Sequence, residues 1–160
     1  MAHTGTLMLV TNHVLCGALV GHVVRSLPAS FAVGVVSHLV LDSVPHWGDA
    51  RPIEDVLHIA VPDGLIGATT MAVVTLVTRR QRRAQVVAGM AGAALLDMDK
   101  PSRLFFGSSP FPRAVDALHQ RVQRESPRRL PQELLVGTTL MAVVALQTKR
   151  HRRNVESRSA

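Results

Sequence analysis

The sequence predicts an all-α, up-and-down transmembrane bundle of four to five helices, and three observations carry that prediction. Five apolar segments, roughly 7–24, 29–44, 56–78, 84–96 and 132–148, are long and rich in Leu, Ala and Met. The chain is 47% hydrophobic but only 3% aromatic, so its apolar mass is small and aliphatic, a mix that lets helices approach closely in lipid. Short basic runs, "RRQRR" (79–83) and "KRHRR" (149–153), stand beside apolar segments, as topology signals do.

Taken in order, the first and third segments approach the roughly 20 residues that a crossing needs, and the second, fourth and fifth are shorter. The third segment opens with Pro62 and Asp63, which places Asp63 in a first helical turn. Overall hydropathy is modest, so a soluble helical bundle is the competing architecture. Between the fourth and fifth segments, 97–131 reads as a long polar loop broken by Pro101, Pro110, Pro112, Pro127 and Pro131, although "AVDALHQRVQ" (114–123) has helical spacing. Two regions follow: a helical membrane domain over 1–148, and a basic tail over 149–160 expected to be disordered or to lie on anionic headgroups. The first residues, "MAHTGT", lack the positive charge that begins a signal peptide, so the first apolar segment is expected to be retained.

Short connections make successive helices antiparallel, and the charges then sort by end. One end holds ten basic residues, Arg25, Arg79, Arg80, Arg82, Arg83, Lys149, Arg150, Arg152, Arg153 and Arg158, against the single acid Glu156. The other end takes the remaining eight basic and ten acidic residues, with seven of those eight in the 97–131 loop, where charge is a weaker guide. The expectation is a multi-pass protein of the inner (plasma) membrane with five crossings, the N-terminus outside and the C-terminus in the cytoplasm. A net charge of +7 with almost no aromatic residues for base stacking argues against nucleic acid as a partner. Cys16 is the only cysteine, which excludes an internal disulfide and a cysteine-cluster zinc site.

The same alternation gathers chemistry at the acidic end. In "SHLVLDSVPHWGD" (37–49), His38 and Asp42 are four residues apart and share one helix face, and His46 follows Pro45 out of the helix. His13 lies near this end of the first helix, Asp63 near that of the third, and Asp97 and Asp99 close the fourth. His46, Asp49, His58 and His119 lie in or beside the connections. Ionisable groups within apolar helices are costly and read as functional, and His and carboxylate donors from several helices are how a bundle builds a metal site. Nitrogen and oxygen donors without thiolate suit zinc, manganese or iron. The structural alternatives are a hydrogen-bonded His38/Asp42 pair, an Asp63 placed for the helix dipole, and Asp97 and Asp99 merely ending the fourth helix, with Lys100 neutralising one of them.

"NHVLCGALVGHVV", "ASFAVGVVSHLVLDSVPHWGD", "AGAALLDMD" and "LHQRVQ" together resemble small bacterial integral-membrane proteins described as membrane-bound metal-dependent hydrolases. More distantly the chain is similar to the all-helical zinc-dependent phospholipase C proteins. The resemblance implies metal-ligand roles for His13, His38 and Asp42, and extends to Asp63, Asp97 and His119. The expected function is metal-dependent hydrolysis of a phosphoester or lipid-like substrate, with the bilayer as partner. His13, His38, Asp42, His46 and His119 are the expected donors, and Asp63 or Asp97 a further ligand or general base. The alternative is a non-catalytic membrane protein whose His/Asp cluster is a packing network, a metal store or part of a transport path.

Overall fold

The computed structural model describes residues 9–48 and 53–159, and they are helical almost throughout. Among them run α1 (Val10–Val23), α2 (Leu27–Ser43), α3 (Leu57–Val77), α4 (Arg80–Ala94), α5 (Asp99–Phe106), α6 (Arg113–Val122) and α7 (Leu130–Ser159). Single 3-10 turns occupy Ile53–Val56, Leu96–Met98 and Pro127–Arg129. No strand forms among the described residues, and an isolated bridge pairs His46 with Glu125.

Helices α1 and α4 make the centre of the bundle, with α2 packed along both and α3 and α7 laid against α1. Glycine sets how closely they approach. A methyl group on Gly17 would overlap the carbonyl of Gly89, one on Gly21 the backbone of Val86, one on Gly34 the carbonyl of Gly89, and one on Gly92 the carbonyl of Phe31. The pairing of Gly17 with Gly89 and Gly21 with Val86 runs in opposite chain directions, so α1 and α4 are antiparallel. Small residues at such crossings let backbones touch, which is the packing mode of helices in lipid. The apolar core between them is small, built around Val14, Leu15, Ala18, Val86 and Met90.

The distribution of polarity is inverted relative to a water-soluble bundle. Buried polar and charged residues outnumber buried apolar ones among the described residues, and α2, α3 and α7 turn Val33, Val36, Val40, Leu65, Ile66, Leu76, Leu135 and Leu146 outward. Two helical stretches, Leu57–Val77 and Pro127–Arg150, are long and apolar enough to cross a membrane. With 14 residues α1 spans roughly 21 Å at 1.5 Å per residue, short of a bilayer core of about 30 Å.

Several boundaries differ from the sequence expectation. Pro62 lies inside α3 rather than at its start, so the residues ahead of it, Leu57 to Val61, continue the helix. Proline costs a helix one hydrogen bond, and here the packed helix absorbs it. The 97–131 loop holds two helices: α6 where the spacing predicts one, and α5, which Pro101 does not prevent because proline is tolerated in a first turn. Gly107, at φ 74°, ends α5 in the left-handed conformation that glycine adopts without strain. The backbone of α7 runs on to Ser159, through the segment after 149 expected to be disordered or to lie on anionic headgroups.

Candidate metal centre

Three elements of the bundle and one helix outside it bring donors to a single point. α2 presents His38 and Asp42 one turn apart, with His38 Nε2 at 3.1 Å from Asp42 Oδ2. α6 delivers His119, whose Nε2 lies 3.0 Å from the same oxygen and 2.9 Å from His38 Nε2. α1 adds His13, with Nε2 at 3.3 Å from Asp42 Oδ1 and 3.9 Å from Asp97 Oδ2. The imidazoles of His13 and His38 stack, with ring centroids 3.9 Å apart and planes inclined by 20°. The two oxygens of Asp42 therefore each face one ring of the stack. His13 and His38 are fully buried, and Asp42 and His119 nearly so.

The glycine contacts between α1, α2 and α4 are what fix this geometry. They bring the end of α4 beside the end of α2, where the Ala93 carbonyl lies 2.6 Å from His38 Nδ1. A carbonyl only accepts, so Nδ1 is the donor, and in the neutral ring Nε2 then carries a lone pair. His38 Nε2, His119 Nε2 and Asp42 Oδ2 form a triangle of close-set donor atoms with edges of 2.9, 3.0 and 3.1 Å. A single proton can bridge only two of them. A cation at the centre would satisfy all three at once.

Around the triangle, His13 Nε2 and Asp42 Oδ1 pair at 3.3 Å, while His13 Nδ1 and Asp97 Oδ2 are buried without a hydrogen-bond partner. Two overlapping donor groups result, His38/Asp42/His119 and His13/His38/Asp97. Asp97, in the 3-10 turn after α4, accepts from Lys100 Nζ through Oδ1 at 2.5 Å, which leaves Oδ2 toward His13. Burial raises the Asp97 carboxyl, but the Lys100 ammonium and then the imidazoles outweigh it and hold the group down to about 2. Burial alone would lower the Lys100 ammonium, and the carboxylates of Asp97 and Asp99 instead raise it.

Other expected donors are placed elsewhere. His46 is buried, but its Nδ1 meets the Val44 carbonyl at 2.8 Å and its Nε2 faces Glu125 Oε1 at 4.0 Å, in a backbone pairing with Arg124 and Ser126. It ties the end of α2 to the segment after α6 and belongs to neither donor group. Asp63 caps α1 from a neighbouring helix, accepting from Val10 N at 2.6 Å, Thr11 N at 3.4 Å and Thr11 Oγ1 at 2.6 Å. A carboxylate at a helix N-terminus is favoured by the free amides and by the dipole. His58 is exposed on α3, and Asp49 lies outside the described residues.

Sequence reasoning missed the supporting residues. Gln123, one turn beyond His119, brings its amide nitrogen to 3.1 Å from His119 Nε2. Asn12 donates to the buried Glu133 at 2.7 Å, joining the start of α1 to the start of α7 across 121 residues of sequence. Only the i, i+4 spacing of His119 and Gln123 on a helix was there to find the first, and nothing local marks the second. Comparison of the chain with family models, curated proteins and solved structures finds no match.

Proposed function

We propose that the chain is a multi-pass membrane protein whose His/Asp centre holds a divalent metal, zinc or alternatively manganese or iron, and hydrolyses a phosphoester or lipid-like substrate at the bilayer surface. The observation that carries this reading is the triangle of His38 Nε2, His119 Nε2 and Asp42 Oδ2, with edges of 2.9–3.1 Å. Nitrogen and oxygen ligands held about 2.0–2.2 Å from one ion at right to tetrahedral angles are roughly 2.9–3.5 Å apart, so the edges fit. The second nitrogen of His38 is already fixed by the Ala93 carbonyl, the outer-sphere bond that metal-bound histidines make.

The bound ion would lower the pKa of a water and so supply a nucleophile near neutral pH. The chain's own residues do the rest. His13 closes the cluster beside Asp42, and Asp97 offers Oδ2 as the acceptor for the water's proton. Lys100 fixes Asp97 through the other oxygen. The inverted polarity and the two long apolar helices support the membrane setting, and the basic runs beside the far helix ends support a cytoplasmic C-terminus.

The competing reading, a purely structural polar network, is disfavoured by the triangle, whose three close-set donor atoms one proton cannot bridge at once. The test is turnover of bis(p-nitrophenyl) phosphate by zinc-loaded protein in mild detergent. Chelation should abolish turnover and zinc restore it, and Asp97→Asn should lower kcat by about 100-fold while zinc content is kept. Stoichiometric zinc with no metal-dependent turnover of this or longer-chain phosphoesters would leave a metal-binding protein and remove the hydrolase.

A further inference from the structure

The short helix α5 turns apolar side chains outward where the sequence reads as a polar loop. Phe105 and Phe106 are 75% and 81% exposed, the most exposed large apolar residues among those described. Three of the chain's four phenylalanines fall within 105–111, so the exposure is a concentrated patch rather than a scattered residue. The charges of α5 lie on its other side and are already matched. Arg103, two residues and so roughly 200° around the helix from Phe105, reaches Asp116 of α6 at 2.6 Å and Asp99 at 3.7 Å. Lys100 is held by Asp97. After Gly107 the chain returns to that charged side, where Ser109 Oγ donates to Asp116 at 2.8 Å.

The position of α5 along α3 indicates what covers the patch. Phe105 lines one apolar groove together with Leu57, Val61 and Leu65 of α3, and α3 is long and apolar enough to cross a membrane. Val61 and Leu65 are themselves more than half exposed, so the outer face of α3 and the phenylalanines of α5 form one surface. At 1.5 Å per residue, Val61 and Leu65 lie roughly 6 and 12 Å along α3 from its start at Leu57. An amphipathic helix at a membrane surface sinks its apolar face roughly 5–10 Å into the boundary between headgroups and acyl chains, which is the same depth.

We infer that α5 is an interfacial anchor, lying in the leaflet at the acidic end of the bundle with Phe105 and Phe106 among the acyl chains and its paired charges toward water. The inference rests on the multi-pass reading and needs no metal. A protein partner would also cover phenylalanines, but only the bilayer is continuous with the exposed face of α3. The 97–131 connection is then an arm seated in lipid rather than a loop in solvent. Its next helix, α6, carries His119 to Asp42, so the leaflet restrains the element that supplies one corner of the donor triangle.

The experiment uses the full chain with Cys16→Ser and one added cysteine, labelled with the polarity-sensitive dye NBD in phosphatidylcholine nanodiscs. Phe106→Cys reports the patch, Gln120→Cys the exposed side of α6 one turn beyond Asp116, and Ile66→Cys, exposed in mid-α3, the span itself. Each is read in lipid brominated near the headgroup and in lipid brominated near the chain end. The expected emission at 106 is blue-shifted and lost mainly to the shallow bromine, that at 66 is lost mainly to the deep bromine, and that at 120 is neither shifted nor lost. Quenching at 66 without quenching at 106 would overturn the inference alone, with red emission at 106 meaning water and blue emission a protein contact. Equal quenching at 106 and 120 would also overturn it, because the arm would then have no polar side. Quenching at 106 without quenching at 66 would keep the anchor and remove the multi-pass reading, and quenching at neither would remove both.

Discussion

At the scale of single residues, Asp42 matters most, because both of its oxygens face imidazoles and it is one of the donors in the close triangle. Asp42→Asn keeps its volume and removes its charge. It should weaken zinc binding by about 100-fold or more, since even outer-sphere changes cost 10–100-fold, and a competition titration with a chelating dye reads this directly. Lys100 matters next. Lys100→Met leaves Asp97 uncompensated and should destabilise the metal-free protein by about 3 kcal/mol in thermal unfolding, with zinc recovering part of the loss as it replaces the missing charge. The pair also sets a pH window. Asp97 is held down to about 2, so its contribution is complete above the ordinary carboxylate range and is lost as pH falls toward that value; Lys100 is raised, so its contribution is complete below the ordinary lysine range and is lost as pH rises beyond it. Metal-free protein should therefore hold a stability plateau through neutral pH and lose it below about pH 4, and Lys100→Met should shrink that acid loss. The four-residue step from His38 to Asp42 is legible in the sequence because helix geometry puts the two on one face. Their meeting with His119 is not, because 77 residues separate it from Asp42 and only packing brings α6 to α2.

At the scale of elements, the glycines on α1, α2 and α4 hold the centre together more than any polar contact does. Gly89→Leu would force the backbone of α1 away from α4, at a cost of about 3 kcal/mol or more. It should also lower zinc affinity, because the Ala93 carbonyl that orients His38 rides on the same helix. Asp63→Ala should cost about 1–2 kcal/mol by uncapping α1 and leave zinc stoichiometry unchanged. The helices were legible as apolar segments, and the small-residue contacts as runs such as "GALVG" (17–21). The role of Asp63 was not, since a residue following proline reads as the opening of its own helix, whereas Pro62 lies within α3 and Asp63 reaches across to another. His46 shows the same limit: its spacing continues the His38/Asp42 series, but Pro45 ends the helix and turns its ring toward Glu125. α5 escaped notice because Pro101 reads as a breaker and is tolerated in a first turn.

At the scale of the whole molecule, the proposed function requires a bundle that is apolar outside and polar within, with its metal centre at the end opposite the basic runs. Cys16 is the only cysteine, so a Cys16→Ser background allows single cysteines to report topology. Ser108→Cys, exposed just after α5, should react with an impermeant maleimide added to intact cells, and Gln81→Cys, exposed at the start of α4, only after lysis. The reverse pattern would invert the topology, and equal reactivity before lysis would end the multi-pass reading. The metal centre is tested by the metal content of intact protein extracted from membranes in mild detergent, measured alongside Asp42→Asn. One tightly held divalent ion per chain, zinc foremost, is expected, absent from the variant while its helicity is unchanged. Metal-free protein that fails to take up zinc, manganese or iron, or a variant that keeps its ion, would contradict it.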